Sequence, residues 1–338
     1  MTMRKIFLWF LATTMTSTVV AQTADVRRAR SGIIITGRGD SLRAMDPFMA
    51  APDGGMAYAN AVNRYQRTFQ DKARVYCMVI PTSVAFYCPE EASSWTRNEW
   101  ATIDHLYKQL HAKVGIVDLK DTLFAHADEE IYSRTDHHWA PLGAYYAARA
   151  FARVAGIEEP QMKDFEAHTI HDYIGTMYRF SRDASVKQAP ETFVYYTPKD
   201  TTYTTTYLRY RMVGKKHKHL SENEPEQGPF FYHYGDGSSA AYLTFMHGDL
   251  CTTTVRTAAK GGRRLLILKD SFGNALPPFL FHAFEEIHVV DCRYFLRNIV
   301  DYVDEHHITD ILFANNAGHA CADVTQRAYH RYLDQHPK

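Results

Sequence analysis

Arg264-Leu265-Leu266-Ile267-Leu268-Lys269-Asp270-Ser271 decides the reading of this chain. Four consecutive aliphatic residues between charged ends have no period of two, so they suit a strand buried on both faces. Ser271 follows directly. Similar runs recur at Val75-Tyr76-Cys77-Met78-Val79-Ile80, Gly115-Ile116-Val117-Asp118-Leu119, Ile287 to Asp291 and Ile311 to Ala314. Helical patterns lie between them. Tyr58, Ala61, Val62, Tyr65 and Phe69 share one helical face, as do Trp100, Ile103, Tyr107 and Leu110 behind a capping box at Thr96-Arg97-Asn98-Glu99. Strands alternating with helices predict an α/β fold, a parallel sheet flanked by helices. Ligands of such sheets sit at the carboxyl ends of the strands, where both Ser271 and Asn315-Asn316 fall.

A second segment supplies the partners a serine needs. Thr135-Asp136-His137-His138-Trp139 holds a carboxylate and two imidazoles. Hydroxyl, imidazole and carboxylate together make an acyl-transfer triad, in which the acid orients the base and the base takes the hydroxyl proton. In extended chain, residues i and i+2 share a face, so Asp136 reaches His138 and His137 points away. Other readings remain open here. Asp136 could cap a helix beginning at Pro141 and running through Leu142 to Val154, with the histidines packing. The Asp and His side chains could also bind a metal, although no HExxH pattern follows.

Composition narrows the classes. Hydrophobic residues make up 46% of the 338, enough for a core, and the formal charge of zero implies no nucleic-acid or anionic-membrane partner. The 22 tyrosines and 19 phenylalanines suit a carbohydrate-facing surface and β-rich packing equally. Cysteines 77, 88, 251, 292 and 321 form neither a disulfide framework nor a zinc pattern, and read as core residues. Arg4 and Lys5 precede the short apolar run Ile6 to Ala12, and Val19-Val20-Ala21 offers small residues at a cleavage site, so residues 1–21 read as a signal peptide. The expected product is residues 22–338, exported and soluble. Residues 156–245 are rich in β-formers and read as an inserted antiparallel element shaping a groove. The run Lys215-Lys216-His217-Lys218-His219 reads as a solvated loop.

Tyr132-Ser133-Arg134-Thr135-Asp136-His137-His138-Trp139-Ala140-Pro141-Leu142-Gly143-Ala144-Tyr145-Tyr146 resembles the defining segment of the bacterial DHHW protein family. Leu266-Ile267-Leu268-Lys269-Asp270-Ser271-Phe272, Pro278-Phe279-Leu280 and Ile287-His288-Val289-Val290-Asp291-Cys292-Arg293-Tyr294 extend the resemblance over nearly all of residues 22–338. The family is similar in turn to periplasmic alginate O-acetyltransferases with SGNH-hydrolase-like domains, in which Asp-x-His precedes the serine, a circularly permuted motif order.

The resemblance implies Ser271 as nucleophile, His138 as base and Asp136 as its orienting acid. It also implies an oxyanion hole of the Ser271 N–H, a glycine N–H and an asparagine amide. Gly248 of Met246-His247-Gly248-Asp249 and Asn316 match, although a turn glycine and a strand cap are equally open readings. Phe272 stands where relatives often have Tyr, and Gly273-Asn274 where they often have Ala-Asn. The implied activity is acetyl transfer or ester hydrolysis on a cell-envelope or secreted polysaccharide. It would need no cofactor, would act at the periplasmic or extracellular face, and would have a membrane-bound O-acyltransferase as possible acetyl supplier. A catalytically idle glycan-binding or assembly factor is the alternative.

Overall fold

The computed structural model describes residues 25–213 and 219–335. The expected leader and Lys215 to Lys218 of the basic run lie outside the described residues. Strands β1 (Arg27–Arg28), β2 (Ile34–Thr36) and β3 (Arg43–Met45) form a small antiparallel sheet. Next come β4 (Arg74–Ile80) and β5 (Gly115–Ile116), then an antiparallel pair, β6 (Phe165–Tyr173) and β7 (Glu191–Pro198). The remaining strands are β8 (Tyr203–Val213), β9 (His219–Glu222), β10 (Glu226–Gly228), β11 (Cys251–Thr257), β12 (Arg264–Lys269), β13 (Glu286–Asp291) and β14 (Asp310–Asn316).

The central sheet runs β10-β8-β11-β13-β12-β14-β4-β5, with β9 also on β8. From β13 to β5 every pairing is parallel; β11, β8 and β10 continue it antiparallel. Alternate residues of the parallel strands face opposite layers. Leu266, Leu268, Ile311, Phe313, Val75 and Cys77 pack under helices Met56–Phe69, Glu99–Lys108, Ile299–Glu305 and Asp323–Asp334. Leu265, Ile267, Leu312, Ala314, Tyr76 and Met78 face helix Pro141–Ala155 and the β6–β7 pair. Both faces are therefore apolar, which explains the unbroken hydrophobic runs.

Several expectations change. The run Gly115 to Leu119 pairs only as β5, Gly115 and Ile116 meeting Tyr76 and Cys77 of β4. The capping box is replaced: Asn98 caps the helix by accepting the Ala101 N–H, Thr96 bonds the Phe48 backbone, and Glu99 turns to Thr82. Residues 156–245 are β-rich and divide in two: β6 and β7 form their own two-stranded antiparallel sheet. β8 zips to β11 along seven register pairs from Cys251↔Arg209 to Thr257↔Tyr203, so the second part of the region extends the central sheet. The free backbone edge of β11 has to be paired somewhere, and β8 supplies that partner. All five cysteines are free thiols.

Candidate active site

The parallel strands deliver four chain segments to one end of the sheet. In register, Lys269 of β12 lies beside Asp291 of β13 and Ala314 of β14, and Asn316 of β14 beside Ile80 of β4. Ser271, Arg293, Asn316 and Thr82-Ser83 therefore emerge together. They line a cleft of about 500 Å³, walled also by Asp46, Phe48, His137 and His319.

Ser271 opens a 3₁₀ turn, Ser271–Ala275, directly after β12. Asp270 caps that turn by accepting the Phe272 N–H at 2.9 Å. Its second oxygen accepts the Asn316 N–H at 2.8 Å. The carboxylate nearest to Ser271 in sequence is thus spent on tying β12 to β14. The imidazole comes from elsewhere. His138 Nε2 lies 2.8 Å from Ser271 Oγ, and His138 Nδ1 lies 2.5 Å from Asp136 Oδ1. This network fits the Nδ1–H tautomer, with Nε2 accepting the serine hydroxyl proton.

Asp136 and His138 meet for a different reason than strand alternation. Residues 133–138 form a bent loop closed by an antiparallel bridge between Tyr132 and Trp139. Asp136 Oδ1 accepts the His138 backbone N–H at 3.0 Å, an i to i+2 turn that brings the ring back to the same oxygen. The helix starts later, with Ala140 as an N-cap lacking a side-chain bond and Pro141 at its first position. Asp136 is not its cap.

Residues 156–245 hold this loop. Thr176 donates to Asp136 Oδ2 through its N–H at 2.8 Å and its hydroxyl at 2.9 Å. Gly175 packs so tightly that an added Cβ would sit 2.4 Å from the Asp136 Cβ. Glu191 of β7 accepts the backbone N–H groups of Arg134 and Thr135, each at 2.7 Å. Tyr242 stacks on His138 with ring centroids 3.8 Å apart and planes 5° apart, and its hydroxyl donates to the Ser271 and Phe272 carbonyls at 3.0 Å. None of Thr176, Gly175, Glu191 and Tyr242 was singled out in the sequence. They are distant along the chain, and an isolated Thr or Tyr has no signature.

Burial pushes the Asp136 carboxyl up. The charges and hydrogen bonds of His138, with His137 and Thr176, outweigh that effect and hold it well below the usual carboxylate range. Burial and the neighbouring His138 push His137 down to about 3. His137 is thus neutral at ordinary pH; its Nδ1 lies 2.6 Å from the Thr176 hydroxyl. Asp136, His137 and His138 each offer a ligand atom within 4.8 Å of the others. An ion there would displace the Asp136–His138 hydrogen bond, so the donor set fits proton chemistry better than coordination.

The two expected oxyanion donors part company. Asn316 lines the cleft beside Ser271 and caps the short helix Ala317–Ala320 through its carbonyl oxygen, which accepts the His319 N–H at 3.0 Å. Its amide nitrogen makes no hydrogen bond among the described residues. Asn315 instead is buried, its oxygen accepting the hydroxyls of Tyr58 and Tyr329 at 2.8 and 2.6 Å. Gly248 does not line the cleft. Its N–H turns to the Phe245 carbonyl at 3.4 Å, and a Cβ there would meet only Leu243, at 3.7 Å. Its φ of +103° is what requires glycine, and close approach is not. That turn delivers Asp249, which bonds Lys269 at 3.1 Å, Asn274 at 2.8 Å and Arg293 at 2.8 Å beneath the Ser271 turn.

A comparison with curated proteins finds no match. Among solved structures the chain is similar to a DHHW family protein from Eubacterium siraeum, at 34% identity and a TM-score of 0.79, covering 90% of this chain and 97% of that one. PatB1 of Bacillus cereus, in a structure with a sulfonyl adduct, is 20% identical with a TM-score of 0.67, covering 87% and 98%. The O-acetyltransferase domain of Pseudomonas putida AlgJ is 13% identical with a TM-score of 0.50, covering 92% and 99%; at such identities these two share the fold alone. The model of the DHHW protein family matches residues 17–290, and this chain belongs to that family.

Proposed function

We propose that this protein is an exported serine-dependent acyltransferase or esterase that moves acetyl groups on a cell-envelope or secreted polysaccharide. One observation carries the proposal: the unbroken hydrogen-bonded chain from Asp136 through His138 to Ser271, opening on a cleft. In this reading Ser271 Oγ attacks the acyl carbonyl while His138 Nε2 takes its proton. The tetrahedral oxyanion meets the Ser271 N–H and the Asn316 amide. Collapse expels the donor alcohol, protonated by His138, and leaves acyl-Ser271. A sugar hydroxyl or water, deprotonated by His138, then attacks and restores the serine. No cofactor takes part in these steps.

The Asp-x-His segment precedes the serine, so the fold is read as SGNH-hydrolase-like with a circularly permuted motif order. Support for acetyl as the group comes from the AlgJ domain, whose name states O-acetyl transfer and whose fold this chain shares. Export rests on the leader-like residues 1–21, and no described helix is long and apolar enough to cross a membrane. A membrane-bound O-acyltransferase that passes acetyl across the membrane completes the scheme as the acetyl supplier.

The test is direct. A chromogenic acetyl ester should be hydrolysed by the wild type, and a sulfonyl fluoride should block turnover and add mass to the peptide carrying Ser271. Ser271→Ala and His138→Ala should each lose about 10³-fold or more. Equal turnover in Ser271→Ala would sink covalent catalysis. A wild type inert toward esters with and without oligosaccharide acceptors would favour the glycan-binding alternative.

A further inference from the structure

The opposite end of β13 carries a second cluster of chemistry-bearing side chains. Glu286 opens the strand and His288 follows two residues later, so both project from one face. The chain returns through helix Ile299–Glu305, whose C-cap is His306. The His288 and His306 rings approach to 4.7 Å between centroids. One ligand atom from each of Glu286, His288 and His306 lies within 4.8 Å of the other two. His288 Nε2 faces Glu286 Oε2 at 3.1 Å.

We propose that Glu286, His288 and His306 form a binding site for a divalent transition-metal ion of zinc's class. Two imidazoles and one carboxylate are a frequent zinc donor set. A tetrahedral ion with bonds of ~2.1 Å needs its ligand atoms roughly 3.4 Å apart; the Glu286–His288 pair already meets this, so only the His306 ring has to approach, by at most about 1.4 Å. His306 has the freedom to do this. Its backbone carbonyl accepts from Arg264 at 3.1 Å, while its ring makes no hydrogen bond among the described residues.

The surroundings are those of a ligand site. Tyr302 Oη lies 2.8 Å from His288 Nδ1, so it can accept an Nδ1–H and leave the Nε2 lone pair for the metal. Binding then moves a proton between ring nitrogens and releases none. Glu286 Oε1 is bonded to Arg256 Nε at 2.9 Å, but the Arg256 side chain is 66% exposed and able to swing into solvent as a cation enters. Water fills the fourth position. The ion would staple the start of β13 to the end of the following helix. β13 spans six residues from Glu286 to Asp291, so the site lies about 16 Å from the Ser271 end of the sheet. It acts on the fold, and the acyl-transfer proposal stands or falls without it.

The experiment titrates Zn²⁺ into chelator-stripped wild-type protein in a calorimeter and follows the melting temperature. Expected are one saturable Zn²⁺ per chain and a rise in Tm, both lost or weakened at least ~10-fold in His306→Ala and, independently, in Glu286→Gln. Ester turnover of stripped His306→Ala should equal that of stripped wild type. No saturable uptake by the wild type, or the same uptake by both variants, overturns the site.

Discussion

Asp136 is gripped from two sides, by His138 of its own loop and by Thr176 from a segment far along the chain. The Thr176 hydroxyl also meets His137 Nδ1. Thr176→Val keeps the backbone N–H and the side-chain shape but removes these hydroxyl bonds. On the proposed chemistry it should lower kcat by roughly 3- to 10-fold, the worth of one net hydrogen bond, with KM unchanged. A steady-state comparison on an acetyl ester checks this, and a change in KM alone would contradict a positioning role. Gly175 leaves even less latitude, because any Cβ must push Asp136 aside. Gly175→Ala should destabilise the fold by about 1–3 kcal/mol in urea titration and depress kcat together with it. Asn316→Ala should slow turnover ~10²–10³-fold while Ser271 still takes up the sulfonyl label. Wild-type activity in that variant would remove Asn316 from the oxyanion hole.

Helix Glu99–Lys108 begins with a buried carboxylate that holds the loop after β4. Glu99 accepts the Thr82 N–H at 2.7 Å and the Thr82 hydroxyl at 2.6 Å, and Thr82 lines the cleft. Burial pushes Glu99 up from 4.5 to about 7, the Thr82 bonds opposing this only in part. Folded protein therefore holds this proton more tightly than unfolded protein. The stability it contributes is fully present below about pH 4.5 and is lost as pH rises through about 7. The loss is at most on the order of 3 kcal/mol. Glu99→Gln should flatten that slope in urea unfolding measured from pH 4.5 to 8; parallel slopes for variant and wild type would show that Glu99 is ionised throughout. The Thr96-to-Glu99 capping motif was legible in the sequence, yet a tertiary partner claimed the glutamate, and Asn98 took over the cap. The run from Gly115 to Leu119 shortened to two paired residues because the chain turns there into the helix Lys120–Phe124, with Asp118 accepting the Lys120 N–H at 2.9 Å.

Across the whole molecule, one buried charge cluster ties three strands under the Ser271 turn. Lys269 of β12 bonds Asp291 of β13 at 3.0 Å and Asp249, just before β11, at 3.1 Å. Burial alone would push Lys269 down; Asp249 and Asp291 reverse this and keep it protonated. Lys269→Met would leave the buried Asp291 and the partly buried Asp249 with Arg293 as their remaining cation. It should cost about 3 kcal/mol in urea unfolding, and an unchanged midpoint would show that Arg293 alone neutralises the pair. At this scale the β-rich region 156–245 matters most. It continues the central sheet through β8 and braces the Asp136 loop from outside through Gly175-Thr176, Glu191 and Tyr242.

Sequence alone determined the α/β class, because strands buried on both faces must be apolar without a break. It also determined the chemical types at the site, since the Asp-x-His turn is local: a carboxylate two residues before a histidine can catch both its N–H and its ring. Only the tertiary structure decided that Ser271 meets His138, that Asn316 lines the cleft while Asn315 is buried, and that Gly248 turns the chain for Asp249. Those outcomes depend on strand order and register, which bring together residues more than a hundred positions apart. Hydrophobic patterning specifies which face of a strand is buried, but not which neighbour it lies beside.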